Sequence, residues 1–218
     1  MVNQLKKAVK TDRYRYFEIL AVLLTGGLKF ILMDLLDYRV FYICFISLFW
    51  IAYVYKRYRN DPTILKTWGF QKDHFRQSMG FILPFAIIAS AGILLYGFLK
   101  RTDTHFGHLV PVFALYPVWG LVQQFMLIGI LAGNLKSLSK VSFRNYQIIL
   151  ITSILFSLVH FPSAFLMIFT FFMELLFIIS YLKWRNLWSL GLYHGILGCL
   201  ILFYVMGRDP WLELWPVF

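Results

Sequence analysis

Long apolar runs separated by short, mostly basic polar stretches recur along the whole chain. A bilayer core of ~30 Å takes about 20 apolar residues per helix. Seven runs fit that length, near residues 17–36, 39–55, 78–99, 109–132, 147–165, 164–182 and 187–206. The first is interrupted by Glu18, Lys29 and Asp34. The fifth and sixth are joined by a tight turn around HFPSAF, where Pro162 helps to end a helix. The pattern predicts an all-α, polytopic transmembrane bundle of about seven spans. No internal repeat or low-complexity linker interrupts it, so residues 1–218 are read as a single transmembrane domain.

Composition strengthens this reading. The chain has 218 residues, 60% of them hydrophobic and only 14% charged, against roughly 45–50% and about 25% in soluble domains. Basic residues set the expected orientation. With the N-terminus inside, inner segments carry 16 Lys and Arg and outer segments carry 4. That bias favours an N-inside, C-outside arrangement. It accounts for the net charge of +11 without nucleic acid, for which no binding motif is present. The basic N-terminus lacks a small-residue cleavage site and is expected to stay as a cytoplasmic tail. The inner loop from Tyr55 to Arg76, with Trp68 and Phe70 among its charges, is either a surface segment on an anionic leaflet or an ordinary orienting loop. Cys44 and Cys199 fall in apolar runs and read as packing residues. The localisation expected is an integral protein of a bacterial cytoplasmic membrane, with membrane lipids as its partners.

Polar groups inside such spans carry the most information, because each is expensive there. Gln123 and Gln124 sit side by side in the fourth span, His160 lies near the end of the fifth, Glu174 is in the sixth and His194 is early in the seventh. Each alone has a structural explanation: a membrane Gln hydrogen-bonded to a neighbouring helix contributes ~0.6–2 kcal/mol, and a histidine can be a satisfied core residue. Four consecutive helices each carrying such a group point instead to a converging functional site. Phe156 and His160 are four apart and share a helix face. Gln123 and Gln124 point about 100° apart on an α-helix. His194 is followed by Gly195 and Gly198, which allow another helix or a substrate backbone to come close.

These residues fall into an ordered set of motifs. QQFMLI (Gln123 to Ile128), FSLVH (Phe156 to His160) and HGILG (His194 to Gly198), with Asn186-Leu187-Trp188 ahead of the last, follow one another along the chain. From about Val110 to Val205 the chain resembles the CAAX-protease and bacteriocin-processing family (CPBP, or Abi) of intramembrane endopeptidases. That family carries Glu-Glu-x-x-x-Arg, then Phe-x-x-x-His, then His-x-x-x-Asn or Asp. The resemblance implies His160 and His194 as catalytic candidates. It also implies a membrane-embedded or lipidated peptide as the substrate.

The departures bear on activity. The presumed general base of the family corresponds to Gln123, its neighbour to Gln124, the arginine to Ile128 and the closing Asn or Asp to Gly198. An amide can orient a water but cannot take its proton, and a missing base typically lowers a rate ~10²–10⁴-fold. The expectation is an atypical or inactive peptidase. Glu174 is the candidate for a relocated base, while Gln123, Gln124, Phe156 and Gly198 would line a cavity and orient water. A structural role for Glu174 in holding the bundle together is the alternative. No cofactor is implied, and nothing in the spacing of His160, Glu174 and His194 demands a metal. Two other functions stay open: a non-catalytic partner-binding protein of the self-immunity type, and a small transporter, which would usually carry paired broken helices.

Overall fold

The computed structural model of the chain describes residues 2–102 and 106–214. Among them all regular structure is helical. In chain order the helices are α1 (Val2–Lys29), a π-helical turn (Phe30–Leu35), α2 (Arg39–Asn60), α3 (Ile64–Trp68), α4 (Phe75–Lys100) and α5 (Phe106–Gln124). A second π segment (Phe125–Ala132) then leads into α6 (Gly133–Ser137), α7 (Asn145–Leu158), α8 (Ala164–Trp184), α9 (Leu187–Tyr204) and α10 (Pro210–Leu214).

Six helical segments among the described residues are long and apolar enough to cross a membrane. The chain is an integral membrane protein with a polytopic helical fold. The fifth expected span, 147–165, is the exception: its helix is Asn145–Leu158, only 14 residues. At ~1.5 Å per residue it reaches ~21 Å, short of a ~30 Å core. The turn before Ala164 cuts it off, where Pro162 cannot continue a helix. The N-terminal stretch read as a tail is helical from Val2.

The residues divide into two compact units, Met1–Gly69 with Phe125–Lys183, and Phe70–Gln124 with Trp184–Phe218.

In the first unit, α2 turns one stripe inward. Tyr42, Ile46 and Trp50 recur every four residues and are buried. Their polar tips are satisfied on α1: the Tyr42 hydroxyl donates to the Thr25 carbonyl at 2.8 Å, and Trp50 Nε1 donates to Thr25 Oγ1 at 3.2 Å. The charges that interrupt the first span are neutralised in place. Lys29 pairs with Asp34 at 2.7 Å. Glu18 is 2% exposed and takes the Tyr53 hydroxyl at 2.5 Å, Arg57 Nη1 at 2.6 Å and Asn134 Nδ2 at 2.6 Å. The Arg57 guanidinium also lies 5.6 Å from the Tyr14 ring, 5.9 Å from Tyr53 and 5.7 Å from Trp68. Trp68 is buried and packs edge-on to Phe125 with centroids 5.1 Å apart. Tyr181 fixes its carbonyl at 2.9 Å. Trp68 is therefore a packing residue of this unit.

In the second unit, Val112, Cys199 and Phe203 form a buried cluster, flanked by Leu109, Tyr116, Tyr204 and Trp211. Both cysteines are free thiols; Cys199 packs as expected, whereas Cys44 is exposed on α2. Helix α4 is tied to α9 through a 2.5 Å bond between the Ser78 and Ser189 hydroxyls and by Tyr193 donating to the Met79 carbonyl at 3.1 Å.

Candidate functional site

The second unit is organised by an unusually close approach of α5 to α9. A Cβ built at Gly195 would stand 2.3 Å from both N and Cα of Pro117. One at Gly191 would stand 2.7 Å from Leu121 Cα, and one at Gly120 would stand 2.8 Å from the Gly191 carbonyl oxygen. Only glycines at these positions let the two backbones meet. Without a hydrophobic force between helices in lipid, such van der Waals contact is a main source of association. The sequence carried this signal as the Gly191-x-x-x-Gly195 spacing, of which the reading above used Gly195 but not Gly191 or its counterpart Gly120.

The start of α9 is held with equal care. Asn186 is fully buried. Its Oδ1 caps the helix by accepting from the Ser189 amide at 3.2 Å, and its Nδ2 donates to the Gln71 and Asp73 carbonyls at 2.7 Å and 3.0 Å. An N-cap alone contributes ~1 kcal/mol, and the Gln71 and Asp73 carbonyls would lose a donor as well. Asn186→Ala is expected to lower stability by roughly 2–3 kcal/mol, read as a fall in the thermal midpoint of the purified protein. Asn186→Asp, which keeps the cap and loses both donated bonds, is expected to be no better than the alanine.

This packing brings two of the residues singled out in the sequence to bonding distance. Gln124, fully buried as the last residue of α5, places Nε2 3.0 Å from Nδ1 of His194, which is 5% exposed. An amide nitrogen can only donate, so Nδ1 accepts. With Nδ1 accepting, the neutral ring carries its proton on Nε2. Gln123 is half-buried and turned away from that bond by the ~100° helical step. Of the two glutamines, Gln124 is the one that meets the histidine.

The other positions of the motifs are equally specific. Ile128 is 0% exposed and lies in the π segment, which begins directly after Gln124. A π turn bonds i to i+5 instead of i+4, so position 128 does not stack over 124 as α-helical spacing assumes. At Gly198 a Cβ would meet Tyr116 Cε1 at 2.8 Å. The aromatic ring stands where a side chain at 198 would project. Tyr116 was missed in the sequence because nothing in its own surroundings distinguishes it from other apolar-span tyrosines.

His160, Phe156 and Glu174 belong to the first unit. His160 follows α7 and its Nδ1 lies 2.8 Å from the Phe156 carbonyl, which can only accept. Here Nδ1 carries the proton and Nε2 the lone pair. The Phe156 ring is buried and meets the imidazole edge-on at 4.9 Å, so the four-residue spacing does fix the ring. Glu174 is fully buried on α8 between Met173 and Phe177, both also buried. The two Nδ1 bonds thus imply opposite tautomers, with the proton on Nδ1 in His160 and on Nε2 in His194. Among the described residues no group of three or more His, Cys, Asp or Glu is arranged to hold a metal ion.

Residues 105–200 match the family model described as type II CAAX prenyl endopeptidase Rce1-like. That segment spans all three motif positions and both histidines. Over those residues the chain is similar to Rce1-like membrane proteases. No curated protein and no solved structure matches it.

Proposed function

We propose that the Rce1-like domain has lost glutamate-dependent peptide hydrolysis and serves to bind a membrane-embedded or lipidated peptide. The observation that carries this is the Gln124–His194 pair. A carboxylate at 124 would accept from Nδ1–H and leave Nε2 as a base. The amide donates to Nδ1 and leaves Nε2 protonated, so neither partner can take a proton from water near neutral pH. Ile128 and the Tyr116 ring beside Gly198 support the same reading, since neither position can now supply a polar group. The glycine-packed helix pair is kept, which favours a retained recognition role over loss of the fold.

A second reading rests on Glu174, a fully buried carboxylate in the unit that holds His160. A relocated base there would make the protein an atypical peptidase.

Both are tested by cleavage of a fluorescent prenylated CAAX peptide with purified protein in liposomes. The set is wild type, His160→Ala, Glu174→Gln and the double variant Gln123→Glu/Gln124→Glu. Wild type is expected to bind the peptide and not to cleave it, with both single variants equally silent. Cleavage by wild type that disappears in Glu174→Gln would overturn the first reading in favour of the second. Gain of cleavage in the double variant is the outcome expected if only the base is missing; the base contributes ~10²–10⁴-fold.

A further inference from the structure

One end of the first unit gathers cations while its carboxylates are consumed internally. Asp12 accepts from the Ser139 amide at 3.2 Å, bonds the Ser139 hydroxyl and pairs with Arg15 at 2.8 Å. Glu18 holds Arg57 and Asn134. These bonds bring the early part of α1, the end of α2 and the segment from Gly133 to Asn145 to the same end. Asp61, after α2, is taken by the Thr63 amide at 2.9 Å and hydroxyl at 2.6 Å. Those two bonds hold its carboxyl below the usual carboxylate range. The remaining carboxylates of this unit are elsewhere: Asp34 and Asp37 stand beyond the far end of α1, and Glu174 is buried on α8.

Around these satisfied acids, Arg13, Lys56, Lys140 and Arg144 are all exposed. Interleaved with them are the exposed rings of Tyr14, Tyr55, Tyr58 and Tyr146. The second feature is independent of charge. Tyrosines concentrate at the depth where a bilayer meets water, because the ring is apolar and its hydroxyl wet. Cations at that depth attract acidic headgroups, each contributing about 1 kcal/mol, or roughly fivefold in affinity.

We infer that this end of the first unit is a headgroup-level surface that selects anionic phospholipids from the surrounding leaflet. The occupant is the lipid itself: the tyrosine belt fits a bilayer interface and has no use for a soluble phosphate. This surface is separate from the peptide-binding reading and does not depend on it.

The test places the protein in nanodiscs of equimolar phosphatidylcholine and phosphatidylglycerol, and measures the lipids that stay bound by native mass spectrometry. Wild type is expected to enrich phosphatidylglycerol, and the enrichment to fall as salt screens the surface. The variant Arg13→Gln/Lys56→Gln/Lys140→Gln/Arg144→Gln is expected to enrich it at least fivefold less. Lys100→Gln/Arg101→Gln, which removes charge from the second unit, is expected to behave as wild type. The inference is overturned by wild type that shows no enrichment, by enrichment indifferent to salt, or by a Lys100/Arg101 variant that loses as much as the fourfold one. The salt series uses wild type alone, so it decides the matter even if the fourfold variant folds poorly.

Discussion

Gly195→Ala is expected to destabilise the protein severely. The added methyl would stand 2.3 Å from N and Cα of Pro117 and 2.8 Å from the Tyr116 carbonyl carbon. These are backbone atoms and cannot swing aside. Pro117 itself lacks an amide hydrogen and is tolerated inside a membrane helix where neighbours re-satisfy the freed backbone groups. Overpacking typically costs ~1–3 kcal/mol when side chains can yield. Here the helix axes must separate, so the expected loss is at or above about 3 kcal/mol. Gly198→Ala makes the informative comparison, because its methyl meets the edge of the Tyr116 ring at 2.8 Å, a side chain that can rotate. It is expected to cost clearly less. Thermal unfolding of the two variants in detergent decides it. Equal losses, or a neutral Gly195→Ala, would contradict close backbone packing as the origin of the α5–α9 pairing.

Arg57→Ala is expected to have the second large effect. It strands Glu18, which is 2% exposed, and opens the space among Tyr14, Tyr53 and Trp68. Removing one member of a buried ion pair costs ~3–5 kcal/mol, mostly from the charge left behind. Arg57 retains 23% side-chain exposure, which draws the expectation toward the lower bound. The origin of the loss can be separated with a double-mutant cycle. In a Glu18→Gln background no charge is stranded, so Arg57→Ala should cost at least 1 kcal/mol less than in wild type. The same loss in both backgrounds would mean that Arg57 acts through its contacts with the aromatic rings and not through the carboxylate.

How far the sequence carried can be judged residue by residue. Hydropathy located the spans at 39–55, 78–99 and 187–206 close to Arg39–Asn60, Phe75–Lys100 and Leu187–Tyr204, since lipid demands long apolar helices regardless of tertiary detail. It extended the fifth span past Leu158 because Val159, Phe161 and Phe165 are as apolar as the helix itself. Hydropathy does not register that Pro162 removes a donor. The π segment from Phe125 was also hidden: an i to i+5 step leaves no mark in the pattern of apolar positions, and it is stabilised by what packs around it, Trp50 and Trp68 against Phe125. Glu18 looked like a flaw in a membrane span because its partners Tyr53, Arg57 and Asn134 come from distant parts of the chain. The chemistry was more legible than the packing. The paired amides and the two histidines could be picked out by type alone. That Gln124, and not Gln123, reaches His194 needed the register fixed by Gly120, Gly191 and Gly195.

The most direct test of the disarmed site is the position of one proton. Nitrogen-15 NMR of histidine-labelled protein in lipid bilayers, with the His194 signals assigned through His194→Gln, reports which ring nitrogen carries it. The expected result is a neutral His194 protonated at Nε2 with Nδ1 bare, and transfer of the proton to Nδ1 in Gln124→Glu. A wild-type His194 protonated at Nδ1 would mean that Gln124 presents its oxygen and that Nε2 is available as a base. That would contradict the disarmed reading.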